Sequence, residues 1–278
     1  HRRTHRGTLF LWSGGQGDAS AFARLSTRLG TELRVYGIDR TEGLNVGEMA
    51  DQMAGAIAAR VPQGDSACYL GGLSVGGWIG VETAIRLERD FRVNPAAVFS
   101  IDGAPPAQLD IECVYEPEIG ATELLRGRGF ALPKGWRQMS AKDKVDKFVE
   151  LLPTLGIDFI GKDIPPGDDK KSAIQRQLKD GAAKFLKTLV GGSYDPATTQ
   201  LPRTEIVGLR AAERNEVHML RDSDIGDNPH MFSWATAGVP NVRVIDFPAN
   251  HMHMLSFNNL LDMVAAAILQ NTDRRNRP

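Results

Sequence analysis

Short apolar runs recur along the chain at Thr8 to Trp12, Leu33 to Ile38, Ala67 to Leu70, Ala96 to Ile101, Thr204 to Leu209 and Val242 to Phe247. Runs of this length, rich in β-branched and aromatic residues and bounded by turn residues, predict strands buried on both faces of a parallel sheet. Helical periodicity fills the intervals. Ala19 to Leu29 carries Phe22, Leu25 and Leu29 on one side, and Val46 to Arg60 places Met49, Met53 and Ile57 at steps of four, with Val61 just beyond. Gly76 to Arg89 carries Ile79, Ile85 and Leu87, and Leu260 to Leu269 closes the chain as a helix. Alternation of strand and helix predicts an α/β fold: a doubly wound, mostly parallel central sheet with helices on both faces. It breaks once, between about Pro105 and Gly192, where helix patterns at Ala141 to Leu152 and Lys170 to Leu189 stand without a strand. An insertion between two strands of an open sheet falls at the carboxyl edge, where ligands bind. Residues 106–192 are therefore expected to form a helical lid, the alternative being a helical subdomain with no catalytic part.

The boundaries that follow are a polar leader at 1–7, one domain at 8–270 and a polar tail at 271–278. With 278 residues, the chain is long enough for one large α/β core. The start has neither an initiator Met nor the apolar stretch of a signal peptide. Polar ends of this kind look like linkers of a domain cut from a longer polypeptide, and a trimmed stand-alone protein would look the same.

Composition changes the picture mainly by exclusion. A formal net charge of -1, with Lys and Arg spread through the chain, gives no pull towards nucleic acid or an anionic membrane. No apolar run approaches the ~20 residues that span a bilayer. The two cysteines, Cys68 and Cys113, exclude a disulfide scaffold and lack metal-ligand spacing, so no metal is expected. They are compatible with a reducing cytoplasm, the expected location.

Gly72-Leu73-Ser74-Val75-Gly76 stands between a strand and a helix. A sharp turn there pushes the Ser74 hydroxyl out over the sheet edge, and glycines two residues to either side leave room for neighbouring backbone. Ser74 is the candidate nucleophile. At such a site the partners follow in the order Ser, acid, His, with the His after the last strand. Of six histidines only His251 and His253 qualify; His251 heads the loop and is preferred. The acid is Asp102, at the end of the neighbouring strand, or its rival Glu213, after the strand ending at Leu209. The oxyanion donors expected are the amide of Val75 and one from the loop after the first strand, with Gly14, Gly15 and Gln16 as candidates.

With these residues in hand, the chain resembles the thioesterase domains of polyketide synthases and nonribosomal peptide synthetases, which have the α/β-hydrolase fold. The resemblance runs from about Thr8 to about Leu269. It is most specific in Tyr69-Leu70-Gly71-Gly72-Leu73-Ser74-Val75-Gly76-Gly77, the Val81 to Glu88 helix and Val98-Phe99-Ser100-Ile101-Asp102-Gly103. The family reads G-x-S-x-G-G, then an A-x-E-x-A-x-x-L helix, then a strand ending in the catalytic Asp, which favours Asp102 over Glu213. Asn250-His251-Met252-His253-Met254 stands where the family has its G-x-H-F-x-M type segment, which again selects His251. The chain departs from the family at Leu73, usually His, Tyr or Trp, and lacks the usual Pro-Ala in the oxyanion loop. The resemblance implies an acyl or peptidyl carrier protein as partner, in the same polypeptide or pathway, and no bound cofactor. The acyl chain would arrive on the carrier's phosphopantetheine, pass to Ser74, and leave by hydrolysis or cyclisation. A stand-alone carboxylesterase or lipase, an acyltransferase and a non-catalytic binding protein on the same scaffold are the other readings.

Overall fold

The computed structural model describes residues 5–14, 17–41, 44–61, 67–103, 121, 125, 131–155, 167, 169–170, 172–177, 180, 204–212, 241–249 and 251–275. Two units divide the chain: 1–109 with 188–215 and 225–278, and 110–187 with 216–224.

The first unit is built on six strands: β1 (Gly7–Trp12), β2 (Leu33–Ile38), β3 (Ala67–Leu73), β4 (Ala97–Ile101), β5 (Glu205–Ala211) and β6 (Val242–Phe247). All five pairings are parallel, and the order is β2-β1-β3-β4-β5-β6. Its helices are α1 (Ala23–Leu29), α2 (Val46–Ala58) and α3 (Val75–Phe91); α5 (Asn258–Arg275) follows β6. Strand parity assigns the two faces. Leu9, Leu11, Phe99, Ile101, Val207 and Leu209 share one core with Leu25 and Leu29 of α1 and Leu261, Val264 and Ile268 of α5. The opposite face of β4 carries Val98 and Ser100, and there the glycines of α3 pack: a Cβ on Gly80 would stand 3.3 Å from Val98 Cγ1. Helices thus cover both faces, as the alternation predicted.

Several elements run past their expected ends for local reasons. β3 continues through Gly71, Gly72 and Leu73 because those residues pair with Phe99, Ser100 and Ile101 of β4. α2 begins in a capping box, with Asn45 Oδ1 accepting from the Glu48 amide and Glu48 Oε2 from the Asn45 amide, both at 2.9 Å. The first residues of the expected polar tail are not tail: α5 extends to Arg275, with Asn271 and Thr272 buried. Asn271 Nδ2 donates to Glu205 Oε2 at 2.9 Å, and Thr272 Oγ1 to the Leu269 carbonyl at 2.7 Å. In the leader, Arg6 pairs with Glu32 at 2.7 Å and with Asp273.

Cys68 is buried in β3, and desolvation pushes its thiol up to about 12. Cys113 lies outside the described residues. Among the described residues, no helix is long and apolar enough to cross a membrane.

The second unit contains α4 (Ala141–Leu155), the helix expected at Ala141 to Leu152. Its Phe148 and Leu152 pack with Ala121, Leu125, Trp136 and Ile174 into a small core of its own. Of the helix expected at Lys170 to Leu189, residues 172–177 are helical, and the part beyond 180 lies outside the described residues.

Candidate active site

The strand order reverses direction between β1 and β3, since the chain moves outward from β1 to β2 and then crosses back to β3. The loops after β1 and β3 therefore diverge at the carboxyl edge, the position where open α/β sheets form their crevice. Ser74 follows β3 at that point, and Gly14 follows β1.

β3 ends at Leu73 and α3 starts at Val75, so Ser74 alone makes the turn. Its backbone sits at φ 55 and ψ -125, a conformation that costs a non-glycine residue about 1–3 kcal/mol. Neighbouring backbone enforces it. A Cβ on Gly76 would collide with the Trp12 carbonyl and stand 2.7 Å from that of Ser13; one on Gly72 would stand 2.6 Å from the Trp12 carbonyl. The Ser74 amide donates to the Ile101 carbonyl of β4, and the Gly77 amide to the Ser74 carbonyl, both at 2.9 Å. The bend is thus tied to β4, β1 and α3 at once.

One strand over, Asp102 caps β4 with φ 45, a left-handed conformation that Asp tolerates better than most residues. Its amide donates to the Leu209 carbonyl of β5 at 2.7 Å. Its two carboxylate oxygens have separate partners. Oδ1 accepts from the Ala211 amide at 2.9 Å, and Oδ2 lies 2.7 Å from His251 Nδ1. The Asp102 side chain is only 9% exposed against 23% for His251, so the acid is shielded while the imidazole stays within reach of solvent. With Nδ1 against a carboxylate, any proton the ring exchanges with a substrate passes through Nε2.

The structure joins Asp102 to His251 and sets Ser74 on the adjacent strand end. It does not join Ser74 to His251: among the described residues Ser74 Oγ makes no hydrogen bond. Nucleophile–base bonds are often long before substrate binds and tighten afterwards. His253 shares a 3-10 turn with His251 and meets Phe257 edge-on, ring centroids 5.0 Å apart. Glu213, the rival acid, lies outside the described residues, as do Gly15 and Gln16.

A Cβ built on Gly14 would lie 3.5 Å from the Cβ of Ser74, so the loop after β1 passes beside the Ser74 turn. Among the described residues neither the Gly14 nor the Val75 amide donates to a protein acceptor. Val75 is the first residue of α3, where amides have no intrahelical acceptor and the helix dipole favours negative charge. No group of three or more His, Cys, Asp and Glu among the described residues is arranged to hold a metal ion.

Three residues support the site in ways the motifs alone did not indicate. Gly77 and Gly103 both close on Ser100: a Cβ on either would collide with Ser100 Oγ, and one on Gly103 would stand 2.7 Å from the Ser74 carbonyl. Their signal was present as the second glycine after Gly76 and the glycine after Asp102. Ala211, whose amide orients the acid, carries no side-chain signal at all.

Residues 7–126 match the family model of the thioesterase domain. The chain resembles the thioesterase domains of polyketide synthases and nonribosomal peptide synthetases. No curated protein is significantly similar in sequence. Among solved structures, a four-domain nonribosomal peptide synthetase bound to AMP and glycine is 20% identical with a TM-score of 0.63, covering 100% of this chain and 20% of that one. This chain thus spans a fifth of that synthetase. The RedJ thioesterase of the prodiginine pathway in Streptomyces coelicolor is 16% identical with a TM-score of 0.57, over 96% of this chain and 87% of its own. The thioesterase domain SrfTE, described in the cyclization of the lipopeptide surfactin, is 18% identical with a TM-score of 0.51, over 99% and 93%. The fold is that of an α/β-hydrolase.

Proposed function

We propose that this chain is a serine thioesterase that releases an acyl chain, polyketide or peptide, from the phosphopantetheine thioester of a carrier protein. The observation that carries the reading is the Asp102–His251 bond of 2.7 Å at the sheet edge that also holds the strained Ser74 bend. The match of residues 7–126 to the thioesterase domain supports the choice of a thioester over an oxygen ester.

Substrate closes the gap between Ser74 Oγ and His251 Nε2. Oγ attacks the thioester carbonyl while its proton passes to Nε2, and Asp102 stabilises the imidazolium through Nδ1. The Val75 amide and one from the Gly14–Gly15 segment hold the negative oxygen, each donor worth about 3 kcal/mol of barrier. Collapse breaks the C–S bond, and the pantetheine thiol leaves with the proton from Nε2, giving an acyl ester on Ser74. His251 then takes a proton from water, or from a hydroxyl or amine of the acyl chain, as that group attacks. A free acid or a ring departs, and Ser74 recovers its proton. The carrier protein is the partner, in the same polypeptide or pathway, and the site of action is the cytoplasm.

A fluorophosphonate probe and an N-acetylcysteamine acyl thioester test this together. Ser74 acquires the phosphonyl adduct, the thioester is cleaved in preference to a matched nitrophenyl ester, and Ser74→Ala abolishes both while keeping its thermal midpoint. A Ser74→Ala protein that still turns over thioester refutes the nucleophile. Faster cleavage of the oxygen ester favours a carboxylesterase instead.

A further inference from the structure

Among the described residues β6 is the last strand of the sheet and pairs with β5 alone. Its residues are mostly half-buried, whereas β5 beside it is buried along nearly its whole length. Hydrophobic burial thus fixes β6 weakly, yet the chain leaves β6 directly into the loop that delivers His251. A cross-strand pair stands where that loop begins. Arg210 and Asp246 are register partners on β5 and β6, and the guanidinium grips the carboxylate with two parallel bonds, Nε to Oδ1 at 2.6 Å and Nη2 to Oδ2 at 2.7 Å. The Arg210 side chain is only 7% exposed, so the fork is anchored at its buried guanidinium while the Asp246 carboxylate stays half-exposed. One residue further, the Ala211 amide holds Oδ1 of Asp102, and the Ala212 amide donates to the Phe247 carbonyl at 2.9 Å.

The carboxyl end of β5 therefore grips both partners of the acid–base pair, the acid through Ala211 and the base-bearing strand through Arg210. We infer that Arg210 and Asp246 are positioning residues that set His251 against Asp102. The inference rests on the reading of Asp102 and His251 as acid and base. Lys in place of Arg210 would keep the charge and lose the planar fork, and Asn in place of Asp246 would keep the shape and lose the charge.

Two measurements on the whole protein test it. A hydrogen bond between imidazole Nδ1 and a carboxylate gives a far-downfield proton resonance, assigned to His251 by its loss in His251→Gln. Arg210→Lys and Asp246→Asn weaken or remove that resonance in the resting protein. They also lower kcat for a thioester on the order of 10- to 100-fold, with KM changed about twofold at most, as expected for a displaced catalytic group. Circular dichroism confirms that the variants fold, and Asp246→Ala, at a half-exposed carboxylate, provides a third variant should Arg210→Lys unfold the sheet edge. Variants that keep the resonance and the wild-type kcat while only the thermal midpoint falls overturn the inference. Loss of the resonance in a protein whose Ser74 never reacts with fluorophosphonate sustains the positioning role and refutes the proposed function instead.

Discussion

Ser100 receives α3 and the turn after β4 at one point, because Gly77 and Gly103 both press on its hydroxyl. That contact brings the strand end bearing Asp102 against the turn bearing Ser74. Gly77→Ala places a methyl group against Ser100 Oγ and 3.2 Å from Ser100 Cα, so the helix must lift from the strand. We expect a loss of about 1–3 kcal/mol in urea unfolding, the usual range for an overpacked interior. Ser100→Ala in the same chain should restore part of it, since the nearest clash is with the hydroxyl oxygen. A Gly77→Ala protein as stable as wild type would show that α3 has room to spare. Cys68 gives a second test at this scale. With its thiol raised from an ordinary 9.0 to about 12 in the folded chain, Cys68 binds its proton more tightly folded than unfolded. Its contribution is complete below pH 9 and is lost as pH rises towards 12. Native protein at pH 7.5 should therefore leave Cys68 unalkylated by iodoacetamide, and unfolding in urea should expose it to modification. Peptide mapping by mass spectrometry reads both states.

α3 does more than present the nucleophile. Glu82 is fully buried and pairs with Arg86 at 2.6 Å, while Trp78 Nε1 donates to Glu82 at 3.4 Å and Arg86 reaches Asp51 of α2. Removing one member of a buried pair strands the other charge, at a cost of about 3–5 kcal/mol, whereas an exposed partner is worth about 0–1. Glu82→Ala should thus destabilise far more than Asp51→Ala, whose carboxylate is 64% exposed; equal effects in urea melts would refute the network. At α2, Asn45→Ala removes the cap and should cost about 1 kcal/mol. The sequence announced α2 through apolar residues at steps of four and α3 through the Gly72–Gly76 turn that precedes it, while the Asn45 cap of α2 went unread. It did not announce the inward turn of Glu82, because a carboxylate at a helical position reads as surface until its partners are known. α5 was cut short for the same reason: Asn271 and Thr272 look like tail residues, and only Glu205, 66 residues earlier, explains why Asn271 is buried.

Three distant stretches meet at one sheet edge. The serine turn was legible because its signal is local: a strand, two flanking glycines and a helix within a few residues. The pairing of Asp102 with His251 spans 149 residues and was legible through chain order and the family resemblance together, since nothing near residue 102 or 251 specifies the other. The Ala211 amide had no signal, because backbone donors belong to no residue type. Asp102→Asn isolates what the carboxylate contributes at this scale. An Asn Oδ1 can still accept from the Ala211 amide, so the sheet edge should keep its order and the thermal midpoint should move little. The Asn Nδ2 then faces His251 Nδ1, and two donors cannot share that bond unless the ring moves its proton to Nε2. A ring protonated at Nε2 cannot accept the Ser74 proton, and the imidazolium loses its counter-charge. We therefore expect kcat for a thioester to fall on the order of 10³- to 10⁴-fold while the fold persists, and fluorophosphonate labelling of Ser74 to slow in parallel, because that reaction needs the same proton transfer. A variant that labels and turns over at the wild-type rate would show that Asp102 orients nothing and would return the role of acid to a residue such as Glu213.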